Sequence, residues 1–223
     1  MSRRSARGSR RVTHPGNPRR VSDPHAPPSL VPPSAREGGR APGRVAGRWR
    51  RTGYGVGSDG GAVGIEIERK FRVEGTPWRE VPGRTLVQGY LAERDGVVVR
   101  VRLDGDSPAR VGWLTVKGPP AAGGLQRVEV EVEVPEAEAE ALLALCGPRV
   151  VAKRRHELAH GGHVWEIDVF EGANAGLVVA EIELDAEDEA FVAPPWLGAE
   201  VSLDPRYTNV RLADHPYTAW ETA

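Results

Sequence analysis

Cys146 is the only cysteine in 223 residues. An internal disulfide is therefore excluded, which suits a reducing compartment, and a cytoplasmic protein is expected. The residue follows "ALLAL" and reads as a buried apolar filler. No stretch is long and apolar enough to span a bilayer, and no apolar core of a secretory signal opens the chain, so no membrane association is expected. Residues 1–61 have no lysine, almost no apolar clusters and only three acids (Asp23, Glu37, Asp59) against 13 arginines, a net charge of +10. A segment dominated by Arg, Pro, Gly and Ser buries too little apolar surface to offset its ordering entropy. It is expected to be a disordered basic extension, either dispensable or the product of a misplaced start, and its Pro and Gly content argues against the amphipathic helix of a transit peptide. Such a tail attracts anions weakly, but no ordered basic-aromatic surface accompanies it and no specific nucleic-acid partner is expected.

Residues 62–223 are a different object, carrying 17 basic groups and 28 acids, a net charge of −11. Here period two dominates. "IEIERKFRV" (65–73), "TLVQGYLAER" (85–94), "VVVRVRL" (97–103), "VGWLTVK" (111–117), "RVEVEVEV" (127–134), "RVVAKRRHEL" (149–158), "HVWEIDVF" (163–170) and "LVVAEIEL" (177–184) alternate as strands do, between Gly, Pro and Asp clusters that read as turns. Two stretches read as helical. "PEAEAEALLALC" (135–146) opens with proline and acids and offers Leu142, Leu143 and Leu145 as an apolar side; "DAEDEAFV" (185–192) is a shorter acidic candidate. The fold class expected is mainly β, a closed eight-stranded antiparallel β-barrel with a few flanking helices, because about eight strands suffice to close a sheet and closure removes exposed edges.

Side chains two apart share a strand face. Glu66, Glu68 and Lys70 therefore lie together, as do Arg100 and Arg102, Lys117 and Thr115, Arg127, Glu129, Glu131 and Glu133, Lys153 and Arg155, Glu166 and Asp168, and Glu181 and Glu183. Solvated strand faces usually carry Thr, Ser and Gln, whereas these carry little but charge of both signs. Pointing into a closed barrel, they rule out a dry interior, since an unpaired buried charge costs several kcal/mol. Arginine and lysine suit phosphate oxygens, and clustered carboxylates suit a hard divalent cation. The two sets together describe a polyphosphate with its metal. An apolar ligand is disfavoured, because the apolar side chains fall on the face opposite the charges.

"EIERK" (66–70) resembles the ExExK signature of the CYTH superfamily, the triphosphate tunnel metalloenzymes. "QGYL" (88–91), "RVR" (100–102), "LTVKG" (114–118), "GLQRVEVEV" (124–132), "EIDVFEG" (166–172), "AEIEL" (180–184), "PPWLGAEV" (194–201) and "RYTN" (206–209) accompany it in order. The likeness spans residues 64–212 and is greatest to short bacterial inorganic triphosphatases. It implies a tunnel that binds triphosphate and needs Mg²⁺ or Mn²⁺. By position, Lys70, Arg100, Arg102, Lys117, Lys153 and Arg155 match the phosphate-holding bases. Glu66, Glu68, Glu129, Glu131, Glu181 and Glu183 match the acids from which metal ligands and water-positioning groups are drawn. Lys70, Lys117, Glu129 and Glu131 form the expected catalytic set. Asp168 matches a tunnel acid without an assigned task, and Arg127 matches a basic position that serves either substrate or the neighbouring glutamates. The long turn "PPAAGG" after Lys117 leaves the register of Glu129 and Glu131 open. The expected activity is hydrolysis of inorganic triphosphate to diphosphate and phosphate. The alternatives are thiamine or nucleoside triphosphatase, class IV adenylate cyclase, and a polyphosphate-binding module without turnover. No oligomeric state follows from the sequence.

Other features are set aside. "GVGSDG" (55–60) fits GxGxxG but precedes a strand and reads as linker. His160 and His163 read as turn residues, and Trp113, Trp165, Trp196 and Trp220 as packing or rim residues. "PPWLGAEV" is expected to form a loop, and "TNVRLAD" (208–214) to close one tunnel mouth.

Overall fold

The computed structural model describes residues 62–220. The basic extension and the "GVGSDG" stretch lie outside the described residues. The eight expected strands are present as β1 (Ala62–Val73), β2 (Gly83–Arg94), β3 (Val97–Asp104), β4 (Val111–Lys117), β5 (Gln126–Val134), β6 (Val150–His160), β7 (His163–Phe170) and β8 (Val178–Glu183). Every neighbour is antiparallel, in the order β5-β4-β3-β2-β6-β7-β8-β1, and pairing of β1 with β5 closes the ring. A ninth strand, β9 (Leu197–Glu200), adds to the far end of β1.

Closure sorts the two faces of each strand. Outward apolar side chains form two covered clusters. Helix α1 (Glu136–Leu145) lies over β2 to β4, where Val101, Leu103, Ala139 and Cys146 are buried with Leu142 and Leu143 against them. The spacing Ala139, Leu142, Leu143, Cys146 is the i, i+3, i+4, i+7 stripe of a helix face. Leu145 falls off that stripe and is 75% exposed, contrary to the apolar side expected of it. The helix comes so close that two wall positions admit no side chain. A Cβ at Gly89 would stand 2.6 Å from Cys146 Sγ, and one at Gly112 would stand 2.7 Å from Ala139 Cβ.

The second cluster covers β1, β7 and β8 and contains Ile67, Phe71, Trp165, Ile167, Ala180 and Ile182. Its cover is residues 185–196, which are turns and irregular chain, including the stretch 185–192 where a short acidic helix was expected. The segment has no apolar stripe to hold a helix down, and its anchors are single aromatic plugs. Phe191 packs edge-on to Phe71 and Trp165, and Trp196 packs on Trp165. His163 Nε2 lies 2.9 Å from Glu189 Oε1, so this turn residue ties the strap down. Arg69, the one charge on the outer face of β1, bonds Glu200 of β9 at 2.8 Å and lies over the rings of Phe71 and Phe191.

Inward-facing residues are charged along most of the bore, but not all of it. At one end Tyr90, Val98, Val151, Phe170 and Val179 meet Leu177, Tyr207 and Leu212 in an apolar plug. Leu212 belongs to α2 (Asn209–Asp214), the segment expected to close a mouth, and is fully buried. The expectation that all apolar side chains oppose the charges thus fails at this end, where charge would have no water. Among the described residues no helix is long and apolar enough to cross a membrane.

Candidate active site

Register brings the charged faces together. Glu68 opposes Glu183, and Lys70 opposes Glu181 across β1 and β8. Lys117 opposes Glu129, and Thr115 opposes Glu131, across β4 and β5, which settles the register that the long turn left open. Arg100 opposes Thr115 and Tyr90, and Arg102 opposes Gln88 and Trp113. Arg155 opposes Asp168 and Lys153 opposes Phe170. All of these side chains share the inner face. Exposed Glu133, Glu157 and Glu183 mark the open end, away from the plug.

On the β1–β8 wall, Lys70 Nζ sits 2.5 Å from Glu181 Oε1 and 2.7 Å from Glu68 Oε2. Arg155 gathers Asp168 at 2.7 Å and 2.6 Å, Glu181 at 2.7 Å, and Glu166. Lys153 bonds Asp168, and both are almost wholly buried. On the β3–β4–β5 wall, Lys117 Nζ reaches Glu66 at 2.7 and 2.8 Å and lies 2.9 Å from Glu129. Arg127 donates to Glu66 at 2.9 Å. Arg100 and Arg102 reach only one oxygen of Glu131, at 3.2 and 3.5 Å.

This network is incomplete in both signs. Nε of Arg100 and Nε of Arg102 are buried and have no hydrogen-bond partner. Burial and the adjacent Arg100 push the Arg102 pKa down, opposed by Glu131 and Asp104. An anion beside it would relieve that. Conversely, burial and Glu181 push Glu68 up to about 7, against the pull of Lys70. Glu183 is raised by the protein atoms crowded about it and by Glu166, Glu66 and Glu68, though its edge meets solvent at the open end. Other acids are already served. Burial works against ionised Glu66, but Lys117 and Arg127 outweigh it and hold its pKa far below the usual range; Lys70, Lys153 and Arg155 do the same for Glu181. Glu131 Oε2 is buried without a partner. Unpaired groups of this kind inside a protein call for a ligand.

The donor set also suits a divalent cation. Glu68 and Glu183, whose negative charge is disfavoured where they stand, and the unpartnered Oε2 of Glu131 are hard oxygen donors. Among the described residues no three or more carboxylates, imidazoles or thiols form a ready-made cage.

Residues 64–208 match the CYTH domain. The chain belongs to the CYTH family. This CYTH domain is 43% identical to the inorganic triphosphatase of Acetivibrio thermocellus over 157 residues, 70% of this chain and 97% of that protein. It is 38% identical to the inorganic triphosphatase of Nitrosomonas europaea over 152 residues, 66% of this chain and 96% of that one. Among solved structures, that of the inorganic triphosphatase NE1496 has 34% identity and a TM-score of 0.49, covering 66% of this chain and 93% of the other.

Every residue expected at the site lies on the inner face of the CYTH domain, with Glu183 set apart at the mouth. Gln88, Tyr90 and Thr115 line the same bore without having been expected there as site residues. Gln88 Nε2 donates to the Tyr90 hydroxyl at 2.8 Å, while Gln88 Oε1 is buried and unpaired. Their signal lay in "QGYL" and "LTVK", at spacing two within each strand, but neutral groups do not stand out among charges.

Proposed function

We propose that this CYTH domain hydrolyses inorganic triphosphate to diphosphate and phosphate within the bore, with Mg²⁺ or Mn²⁺. One observation carries the reading: unpaired, buried guanidinium nitrogens and proton-attracting carboxylates coexist in a single closed ring. A neutral ligand would satisfy neither, and a phosphate chain alone would satisfy only the first. The names of the two relatives support triphosphate over other phosphate chains.

Arg100, Arg102, Lys117, Lys153, Arg155 and Lys70 bind the phosphate oxygens in this reading. Arg100 and Arg102 do so through nitrogens that have no protein partner. Glu68, Glu183 and Glu131 are the first candidates for the cation; Glu129, whose Oε2 lies 2.9 Å from Lys117 Nζ yet makes no hydrogen bond, comes next, and Glu66 and Glu181 stand behind because lysine or arginine already occupies those carboxylates. A bound divalent cation supplies neutralisation of charge on the phosphate chain. Water attacks a terminal phosphorus, the bond to the bridging oxygen breaks, diphosphate leaves, and in this reading the water proton passes to a carboxylate, Glu131 or Glu129. Lys70 and Lys117 counter the charge that develops on the transferring group and the leaving oxygen. The apolar plug leaves the bore one open end for entry and release. Residues 62–223 form the functional unit, with residues 1–61 an extension to it.

The test is phosphate release by the full chain with Mg²⁺ and with Mn²⁺ on inorganic triphosphate, ATP and thiamine triphosphate. The expected outcome is fastest release from inorganic triphosphate. Cyclic AMP from ATP, preference for thiamine triphosphate, or tight binding without any turnover would each contradict it.

A further inference from the structure

We propose that Thr115 is a positioning residue of this site, its hydroxyl locking Glu131 so that one chosen carboxylate oxygen is left open to the metal or the attacking water. The inference rests on the triphosphatase reading above. Thr115 is fully buried on the inner face of β4, between Arg100 of β3 and Glu131 of β5 in the ladder. Its Oγ1 donates to Glu131 Oε1 at 2.6 Å and accepts from Arg100 Nη2 at 3.1 Å. A hydroxyl has one proton, and here it goes to the carboxylate while a lone pair holds the guanidinium.

The consequence is asymmetry. Thr115, Arg100 and Arg102 all address Oε1 of Glu131, and no group addresses the buried Oε2. The arginine contacts are the longer ones, and both guanidiniums are expected to turn towards phosphate when substrate enters. The threonine bond does not compete with substrate, because a hydroxyl on a short β-branched stem has few other places to point. It is therefore the contact that keeps the carboxylate oriented through binding. Threonine is common in strands and often does no more than fill space. The distinguishing feature here is a hydroxyl shared between a base and an acid that both face the substrate.

The experiment compares Thr115→Val, which keeps the shape and removes both bonds, with Thr115→Ser, which keeps them. Thr115→Ala serves as a second hydroxyl-free variant. In each full-length variant, kcat and KM for inorganic triphosphate and the Mn²⁺ affinity seen by electron paramagnetic resonance are measured. Loss of an orienting partner typically costs about 10- to 100-fold in metal affinity or activity, and that drop is expected in kcat and Mn²⁺ affinity for Val and Ala. KM is expected to change little, and serine to restore most of both quantities. Wild-type kcat and Mn²⁺ affinity in Thr115→Val would overturn the proposal. So would a serine variant as impaired as valine, since packing of the methyl would then be the cause. If the wild type does not hydrolyse triphosphate, the activity reading falls, and the Mn²⁺ affinities still decide the role of Thr115.

Discussion

Arg102→Ala is expected to slow triphosphate hydrolysis about 100- to 1,000-fold, the usual cost of removing one charge-stabilising donor. The fold should be as stable as the wild type, or more so. The second half of this result separates the account from a structural one. Arg102 is buried, its Nε has no partner, its one carboxylate contact is 3.5 Å long, and Arg100 presses its pKa down. Its burial is an uncompensated cost that substrate would relieve, so removing it from the free protein removes repulsion. Lys70→Ala should lose activity to a similar degree and lose stability as well, because Lys70 is the cation between Glu68 and Glu181. Steady-state rates together with thermal melting check both variants. An Arg102→Ala protein that melts far below wild type, or turns over normally, would contradict this.

Chelation should have an equally large effect. With EDTA present, hydrolysis is expected to fall to background, and excess Mg²⁺ or Mn²⁺ to restore it. The bore without a cation is poorly prepared for a polyanion on its acidic side. Glu68 sits at about 7 because burial and Glu181 disfavour its charge, and at the mouth the crowding of protein atoms and the acids Glu166, Glu66 and Glu68 raise Glu183. A phosphate chain approaching those carboxylates would add to the repulsion unless a cation lay between them. Phosphate release followed before and after chelation is the measurement. Full activity in EDTA would mean that the acids serve only to balance the lysines and arginines.

The strands were readable because charge and aliphatic residues alternate so strictly. In "RVEVEVEV" each valine and each glutamate reports a face, while the register that pairs Lys117 with Glu129 was left open by the long turn and comes from the structure. What period two cannot report is which face is inside, and the scarcity of neutral polar residues supplied that. Elements held by long-range packing were less visible. β9 is only four residues long and exists because β1 has a free edge beyond its pairing with β5. The acidic stretch 185–192 has helix-forming composition, but no apolar stripe, and Phe191 fixes it as a strap. Leu145 stands outside the buried stripe because helical spacing from Ala139, Leu142 and Leu143 leads to Cys146. The plug was half visible: "TNVRLAD" suggested a closure, yet Val98, Val151 and Val179 looked like ordinary members of apolar runs. Only the closed ring turns them inward.

The most direct test of the central claim is diffraction from crystals grown with inorganic triphosphate and Mn²⁺, using the anomalous signal of the metal. The account predicts a phosphate chain inside the ring, touching Nε of Arg100 and Arg102, with the Mn²⁺ peak between that chain and the carboxylates of Glu68, Glu131 or Glu183. Triphosphate bound on the outer surface, or a bore that stays closed by its own ion pairs with Mn²⁺ elsewhere, would contradict it.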